Sequence, residues 1–272
     1  MRIGVVAPAN RLLPETAERV SALAKARFGE RVEIVFHPQC FLSAGHFAGD
    51  DDARGAAFVA FANDPAIDAL WFARGGYGSG RIAERVIAGL ADAATKKSYL
   101  GYSDGGFLLA GLYRAGHRVA HAPVPADITR RGGDEAVART LSFLLDGSRH
   151  AIEPSVDGTT KTAAFNIIVL NNIVGTPLEP DLAGHVLMLE EVSEHLYALD
   201  RALQHLTSNP NIRRVAGIRL GRVSDIPVND PAFGQTPEQI VQHWCTQSGI
   251  AYLGRADIGH DADNKVVPFG VW

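Results

Sequence analysis

The stretch KKSYLGYSDGG, residues 96–106, joins a short apolar strand pattern to a glycine-rich turn, and the apolar helical pattern FLLAGLYRAG follows at once. Within it, residues 101–105 read Gly-x-Ser-x-Gly around Ser103. Small residues on both sides of a serine allow a sharp strand-to-helix turn that exposes the hydroxyl, as in a nucleophile elbow. A plain glycine-rich connection or a phosphate-binding turn has the same pattern, so the motif alone leaves the role of Ser103 open.

Strand and helix patterns alternate on both sides of this junction. The strand patterns are RIGVVAP, RVEIVFHP, IDALWFARGGYG and HRVAHAP, and the helix patterns are ETAERVSALAKARFG, DDDARGAAFVAFAND and GRIAERVIAGLADA. Such alternation predicts an α/β fold with a parallel sheet covered on both faces. Ligands of these sheets bind beyond the carboxyl ends of the strands, where both ARGGYG and GYSDGG fall.

The pattern breaks at the polar, turn-rich segment DGSRHAIEPSVDGTTKT, residues 146–162, which is a candidate linker. Beyond it, strand patterns (HVLMLEEV, VAGIRLGRV, IAYLGRADIGH) again alternate with helix patterns (YALDRALQHLTSNP, TPEQIVQHWCTQSG). We therefore predict two domains, residues 1–148 and a smaller α/β domain over residues 163–272.

Composition narrows the classes of function. The chain has 272 residues, a net charge of −4 and 46% hydrophobic residues, which gives no basic footprint for nucleic acid or an anionic membrane. No apolar run approaches the ~18 residues of a membrane helix, and the N-terminus has no signal-peptide pattern. Two cysteines are too few for a disulfide framework or a thiolate zinc site. We expect a cytoplasmic protein that binds neither nucleic acid nor membranes.

A serine nucleophile requires a base, and His260 is the candidate because it lies in a loop directly after a predicted strand. A lone loop histidine is nevertheless more often structural than catalytic. His121 lies on a predicted strand and is expected to be buried, and solvated or capping roles are expected for the helical histidines His195, His205 and His243. The following DADNKV lacks the glycine and late glutamate of an EF-hand, so a calcium loop is rejected.

Glu190 and Glu191 end an apolar strand pattern and are the candidate orienting acids. Adjacent strand residues face opposite sides, so only one of them can point into a given cleft. Both faces of this strand are apolar, so alternation does not choose between them, and a solvated strand end remains the alternative. The order serine, glutamate, histidine matches that of α/β-hydrolases, but here the candidates fall in two halves of the chain. This spacing predicts a site between the domains.

Taken together, VVAPA, ARGGYG, GYSD, GTPLEPD, HVLMLEEV, ADIGH and VPFG resemble the LD-carboxypeptidase family of serine peptidases, in the family's order and over nearly the whole chain. The resemblance implies a Rossmann-like N-terminal domain that carries the nucleophile Ser103, and a smaller C-terminal domain that carries the acid and the base. It implies Glu190 rather than Glu191 as the acid, and His260 as the base. It further implies a homodimer and no cofactor.

The resemblance also implies how a peptide would be held. The backbone amides of Gly76 and Asp104 would form the oxyanion hole. Arg74 is a candidate for binding the terminal carboxylate, since arginine matches carboxylate geometry, although a structural ion pair is the alternative. Tyr77 and Asn166 are further candidate substrate contacts. The chain reads AFN where the family has Gly-Gly-Asn, so only Asn166 is kept and the substrate contacts of that region are open.

The family's usual substrate is a murein tetrapeptide, from which D-alanine is released during cell-wall recycling. Two other functions stay open. One is an amide hydrolase that inactivates a peptide–nucleotide antibiotic, which an aromatic-lined pocket with Trp71, Phe72 or Tyr77 would favour. The other is a non-catalytic binding protein in which Ser103 is merely a hydrogen-bond donor. A plain α/β-hydrolase esterase is disfavoured by the lack of an HGGG-type oxyanion motif.

Overall fold

The computed structural model describes residues 1–272 and contains two β-sheets. The first sheet has six strands, and all of its strand pairs are parallel except the pair at one edge. The second sheet has four strands and is parallel throughout. This mixed α/β architecture confirms the predicted fold class.

The first sheet is built from the amino-terminal half of the chain. Its strands are β1 (Arg2–Val6), β2 (Glu33–Phe36), β3 (Ala69–Phe72), β4 (Ser98–Gly101) and β5 (Arg118–His121). The helices between and after them are α1 (Pro14–Phe28), α2 (Asp51–Asn63), α3 (Ala83–Ala88), α4 (Gly106–Arg114) and α5 (Gly133–Asp146). Helix α3 is shorter than the pattern GRIAERVIAGLADA predicts, because Gly89 caps it by donating its N–H to carbonyls of the last turn.

The second sheet follows the predicted linker. Its strands are β6 (Thr162–Asn166), β7 (Val186–Val192), β8 (Gly217–Ser224) and β9 (Tyr252–Arg255), with helices α6 (Ile167–Ile173), α7 (Leu196–Ser208) and α8 (Pro237–Ser248). The short strand β10 (Val267–Pro268) then pairs antiparallel with β5 at the edge of the first sheet. The strand order is β10-β5-β4-β3-β1-β2 in the first sheet and β6-β7-β8-β9 in the second. Gly270, just beyond β10, exchanges two backbone hydrogen bonds with Thr162 of β6, so the chain end contacts both sheets. No helix combines the length and the apolar character that crossing a membrane requires.

One continuous apolar core spans both halves, since it includes Leu108 of α4 together with Phe165 and Leu170 of β6 and α6. Helix α4 lies directly against α6: a Cβ on Gly106 would stand 2.9 Å from Cγ1 of Val169. A methyl group at this position would force Val169 or the helix backbone to shift, so the two helices approach closely at Gly106. The close packing brings the carboxyl ends of the two sheets together, and the candidate site lies between them.

Candidate active site

The serine turn sits where β4 gives way to α4. Ser103 has a backbone φ of 57°, in the left-handed region that non-glycine residues rarely adopt. A Cβ on Gly105 would stand 2.9 Å from Cδ2 of Phe72, and one on Gly101 would overlap the same ring. Both glycines of the Gly-x-Ser-x-Gly are therefore needed for the backbone to bend over Phe72. A strained turn at a serine, whose hydroxyl can act as a nucleophile, is characteristic of a nucleophile elbow.

A second glycine turn, after β3, packs against the serine turn. A Cβ on Gly75 would stand 2.9 Å from Cβ of Ser103, and Gly76 has a φ of 115°. The carboxylate of Asp104 accepts hydrogen bonds from the N–H groups of Gly78 (3.3 Å) and Ser79 (2.8 Å), which ties the two turns together. Burial raises the pKa of Asp104, and these hydrogen bonds oppose the rise. The side chain of Asp104 thus holds the loop that carries Gly76.

His260 lies between Ser103 and Glu190. Its Nε2 is 2.9 Å from Oγ of Ser103, and its Nδ1 is 2.5 Å from Oε2 of Glu190. With the proton on Nδ1, the ring donates to the carboxylate and accepts from the serine hydroxyl. The side chains of His260 and Glu190 are 8% and 0% exposed, so water hardly competes for either contact. The second oxygen of Glu190, Oε1, has no hydrogen-bond partner in the protein.

Two opposing effects act on the pKa of His260. Burial lowers it, because the charged imidazolium is poorly solvated, whereas the charge of Glu190 and the hydrogen bond to that carboxylate raise it. The net result is a pKa above the ordinary value of 6.5. The ring is therefore a stronger base than a free imidazole, and it must be neutral to accept a proton from Ser103.

The side chain of Asn264 fixes the loop that carries His260. Oδ1 of Asn264 accepts hydrogen bonds from the Gly259 N–H (3.1 Å) and from Nε2 of His121 (3.0 Å). His121 is 1% exposed, as expected from its strand position, and burial lowers its pKa. It is thus a structural histidine that supports the loop.

Glu191 points to the opposite side of β7 from Glu190. Its carboxylate accepts hydrogen bonds from the N–H groups of Ile168 (2.9 Å) and Val192 (2.9 Å) and from Nδ2 of Asn166 (2.6 Å). Burial raises the pKa of Glu191 to about 7, even though these donors favour the charged form. Asn166 also caps α6 through a hydrogen bond from the Val169 N–H (3.0 Å). Both ends of the Asn166 amide are therefore engaged away from Ser103.

A cleft of about 380 Å³ opens over Ser103. Its lining includes Arg74, Gly75, Gly76, Tyr102, Arg130 and His260. Arg74 is exposed, and no ion pair or hydrogen bond engages its guanidinium, so the structural ion pair considered above is not formed.

The other predicted contact residues lie elsewhere. Trp71 and Phe72 are 0% and 1% exposed, and Trp71 donates its indole N–H to the Pro123 carbonyl (2.7 Å), so neither lines a pocket. Tyr77 is 57% exposed and packs beside the Phe47 ring, outside the cleft lining. Trp71 and Phe72 therefore do not form the aromatic-lined pocket that would favour the antibiotic-hydrolase alternative. Their strand is covered on both faces, which buries every side chain on it.

Arg130 is a cleft residue that sequence reasoning missed. It lies in the segment PADITRRGG, after the carboxyl end of β5, and its Nη1 donates to the backbone carbonyl of His260 (2.6 Å). The position beyond a parallel strand is the one signal that could have identified it. No group of three or more His, Cys, Asp or Glu side chains has an arrangement suited to a metal ion.

With this geometry in hand, comparison with known proteins defines the class. Family models for the LD-carboxypeptidase N-terminal domain and C-terminal domain match residues 3–122 and 160–272. A putative carboxypeptidase of Streptomyces coelicolor is 30% identical over 288 aligned residues, which cover 99% of this chain and 88% of that protein. The chain belongs to the LD-carboxypeptidase family, and it is a serine-type carboxypeptidase.

Further relatives agree with this assignment. The murein tetrapeptide carboxypeptidase of Pseudomonas aeruginosa is 28% identical over 221 residues, covering 76% of this chain and 71% of that protein. The crystal structure of muramoyltetrapeptide carboxypeptidase from Oxalobacter formigenes has the same fold, with a TM-score of 0.83 at 22% identity over 99% of this chain and 93% of that one. The microcin C7 self immunity protein MccF, in complex with glutamyl sulfamoyl guanosine, has a TM-score of 0.78 at 17% identity over 99% and 91% of the two chains.

Proposed function

We propose that this carboxypeptidase releases the C-terminal D-alanine of a murein tetrapeptide through an acyl-enzyme on Ser103. The observation that carries the proposal is the unbroken hydrogen-bonded series from Ser103 through His260 to Glu190, on the rim of an open cleft. This series has the geometry that nucleophile, base and orienting acid require. Family membership supplies the class of bond, and the named relatives supply the substrate.

In the first step, His260 accepts the proton of Ser103 at Nε2 as Oγ attacks the amide carbonyl that precedes D-alanine. Glu190 holds the Nδ1–H tautomer and stabilises the imidazolium that forms. His260 then gives its proton to the leaving amine, and D-alanine departs. Water, activated by the same ring, hydrolyses the acyl-enzyme and returns the proton to Ser103.

The developing oxyanion would be held by the backbone amides of Gly76 and Asp104. In support, the Gly75–Gly76 turn packs on Ser103, and Asp104 directly follows it at the start of the helical turn leading into α4. The positive end of a helix and preorganised N–H groups stabilise such a charge, and losing one donor typically costs about 10²–10³ in kcat.

Arg74 would bind the terminal carboxylate of the substrate. It is the exposed arginine of the cleft that has no partner in the protein, and a guanidinium matches a carboxylate in a bidentate manner. We expect Arg74→Met to raise KM by about 10–100-fold with a smaller change in kcat, because the lost contact is present in both ground and transition states. The control substrate is a peptide amide that lacks the terminal carboxylate. An unchanged KM of Arg74→Met for the carboxylate substrate would show that Arg74 does not recognise this group.

The decisive experiment is digestion of L-Ala-D-Glu-meso-diaminopimelate-D-Ala, read by mass spectrometry, with Ser103→Ala as the matched control. Release of D-alanine by the wild type alone is expected. Release by both proteins would exclude Ser103 as nucleophile, and release by neither would exclude this substrate. Cell-wall recycling, a cytoplasmic location and a homodimer complete the proposal, and fractionation of the host and light scattering test the last two.

The two alternatives receive less support. A nucleotide-carrying substrate calls for an aromatic platform, yet Trp71 and Phe72 lie in the core rather than in the cleft. A purely ligand-binding protein has no need for a serine in left-handed backbone conformation that is hydrogen-bonded to a buried His–Glu pair.

A further inference from the structure

A ring of polar contacts surrounds the candidate base. Arg130 donates from Nη1 to the carbonyl oxygen of His260 (2.6 Å) and from Nε to Oδ1 of Asp127 (2.9 Å). The same Asp127 oxygen accepts the hydroxyl of Tyr102 (2.9 Å), the residue directly before Ser103. The ring of Tyr102 packs on that of His260, with centroids 4.9 Å apart. Ser103 and His260 are thus joined twice, once by their own hydrogen bond and once through Tyr102, Asp127 and Arg130.

The acceptor in this ring is rigid. Asp127 is 3% exposed, and its second oxygen accepts the N–H of Val124 (2.9 Å). The turn that carries it packs on Gly133, where a Cβ would stand 2.8 Å from Cα of Ile128. A buried carboxylate with fixed partners is a firm support for a guanidinium, whose planar fork holds two acceptors in a set geometry.

We propose that Arg130 is a positioning residue for catalysis: it fixes the main chain of His260 so that Nε2 stays within hydrogen-bond reach of Ser103. This inference rests on the proposed function, because it assigns His260 the role of base. Ser103 and Arg130 follow strands of the first sheet, whereas His260 follows the last strand of the second. Any sliding of one sheet against the other would open the Ser103–His260 contact, and Arg130 opposes that motion at the histidine itself.

Other contacts hold the same loop further along. Arg139 donates to the carbonyls of Ala262 and Asn264 (both 2.8 Å), which lie two and four residues beyond His260. These bonds keep the loop folded, so loss of Arg130 should disturb the position of His260 without unfolding the loop. A misplacement of about 1 Å at a reacting group can cost on the order of 10² in rate.

The charge of Arg130 also acts on the base. The charged or titratable groups around His260 are Glu190, Tyr102, His121 and Arg130, and Glu191 acts on it through its charge from the other side of β7. Burial and the positive charge of Arg130 lower the pKa of His260, whereas the two carboxylates raise it. Removal of the Arg130 charge should therefore move the acid limb of kcat/KM to higher pH.

The test compares Arg130→Met and Arg130→Lys with Arg131→Met, which removes the same charge from an exposed neighbouring arginine with no hydrogen bond in the structure. For Arg130→Met we expect kcat to fall about 10–100-fold, KM to stay within about threefold, and the acid limb to move up. Arg130→Lys keeps the positive charge but loses the planar guanidinium that holds two acceptors. Its kcat should therefore fall, whereas the acid limb of its kcat/KM profile should stay in place. Arg131→Met should match the wild type.

Labelling of Ser103 by a fluorophosphonate makes the test independent of the peptide, because it needs only an activated serine. Slower labelling of Arg130→Met than of Arg131→Met is expected. Labelling at the wild-type rate, or a rise in KM with kcat unchanged, would overturn the positioning role. If the wild-type protein is labelled but releases no D-alanine, the proposed substrate alone is overturned. If the wild-type protein is not labelled, both proposals are overturned.

Discussion

The two sides of β7 carry adjacent carboxylates in contrasting surroundings. Glu190 faces His260: one carboxylate oxygen meets the His260 ring, and the other meets no donor. Glu191 faces α6, where three N–H donors hold it. Both side chains are at most 2% exposed, so burial does not distinguish them. The two carboxylates differ in their hydrogen-bond partners. The titratable ring of His260 can exchange a proton, whereas the backbone and amide N–H groups around Glu191 can only stabilise the structure.

The backbone of β7 sets this difference. Successive residues of a strand point to opposite faces, and the pairing between β7 and β8 shifts register between Leu189 and Glu191. An irregularity of this kind re-aims side chains next to functional sites. Gly221 of β8 completes the arrangement, since a Cβ there would stand 3.0 Å from Cβ of Glu190 and 2.7 Å from the Ile258 carbonyl oxygen. The side of β7 that carries Glu190 is therefore closely packed.

The sharpest way to test the contrast is to neutralise each carboxylate in turn. Glu190→Gln should lower kcat/KM by about 10³–10⁴, because the amide no longer stabilises the imidazolium and can impose the wrong tautomer. Glu191→Gln, the matched control, should retain activity within about tenfold at a temperature where it is folded. Steady-state kinetics of the two variants decide the point, and equal losses would show that the two faces of β7 do not differ in role.

Gly221→Ala should have the next largest effect. The added methyl group must displace Glu190 or the loop before His260, so we expect a loss of roughly 10–100-fold in kcat together with about 1–3 kcal/mol of stability. Gly217→Ala is the control. Gly217 lies on the same strand as Gly221 but away from the site, and its Cβ would stand 2.8 Å from the Ala251 carbonyl oxygen. Similar melting temperatures with unequal kcat values are expected. Equal activities would mean that the packing around Glu190 tolerates movement.

Glu191 should make the free energy of unfolding depend on pH. Its pKa of about 7 lies above the ordinary 4.5, so the folded protein binds the proton more tightly than the unfolded chain does. The stability that this group contributes is complete below pH 4.5 and is lost as pH rises to about 7. Urea unfolding at pH 5 and pH 8 should show wild-type stability falling by about 1–3 kcal/mol more than that of Glu191→Gln. Parallel pH dependence in the two proteins would contradict the raised pKa.

The smallest effect concerns the titration of His260. Its raised pKa predicts that the acid limb of kcat/KM lies above pH 6.5, since only the neutral ring accepts the Ser103 proton. Comparison of the His260 resonance in Ser103→Ala and in Ser103→Ala/Glu190→Gln isolates the contribution of Glu190. The second protein should titrate at lower pH, because the carboxylate charge that raises the pKa of His260 is gone. An identical pKa in both would mean that Glu190 does not act electrostatically on the ring.

Local sequence patterns carried much of the fold and half of the candidate site. The alternation of strands and helices follows from hydrophobic periodicity. The small residues around Ser103 at a strand-to-helix junction indicate the sharp turn, although they leave the role of the hydroxyl open. The loop position of His260 is likewise visible in the chain. Each of these features depends on neighbours within a few residues, and so it can be predicted from the chain alone.

The partners of these residues depend on contacts far apart in sequence. The residues alone did not choose between Glu190 and Glu191, because β7 is apolar on both faces, and family resemblance made that choice. Trp71 and Phe72 are buried because β3 is covered on both faces. Asn166 reaches Glu191 on the neighbouring strand, 25 residues away, and Arg130 reaches His260, 130 residues away. Sequence determined the types of group and the elements that carry them, whereas tertiary packing decided which of those groups meet.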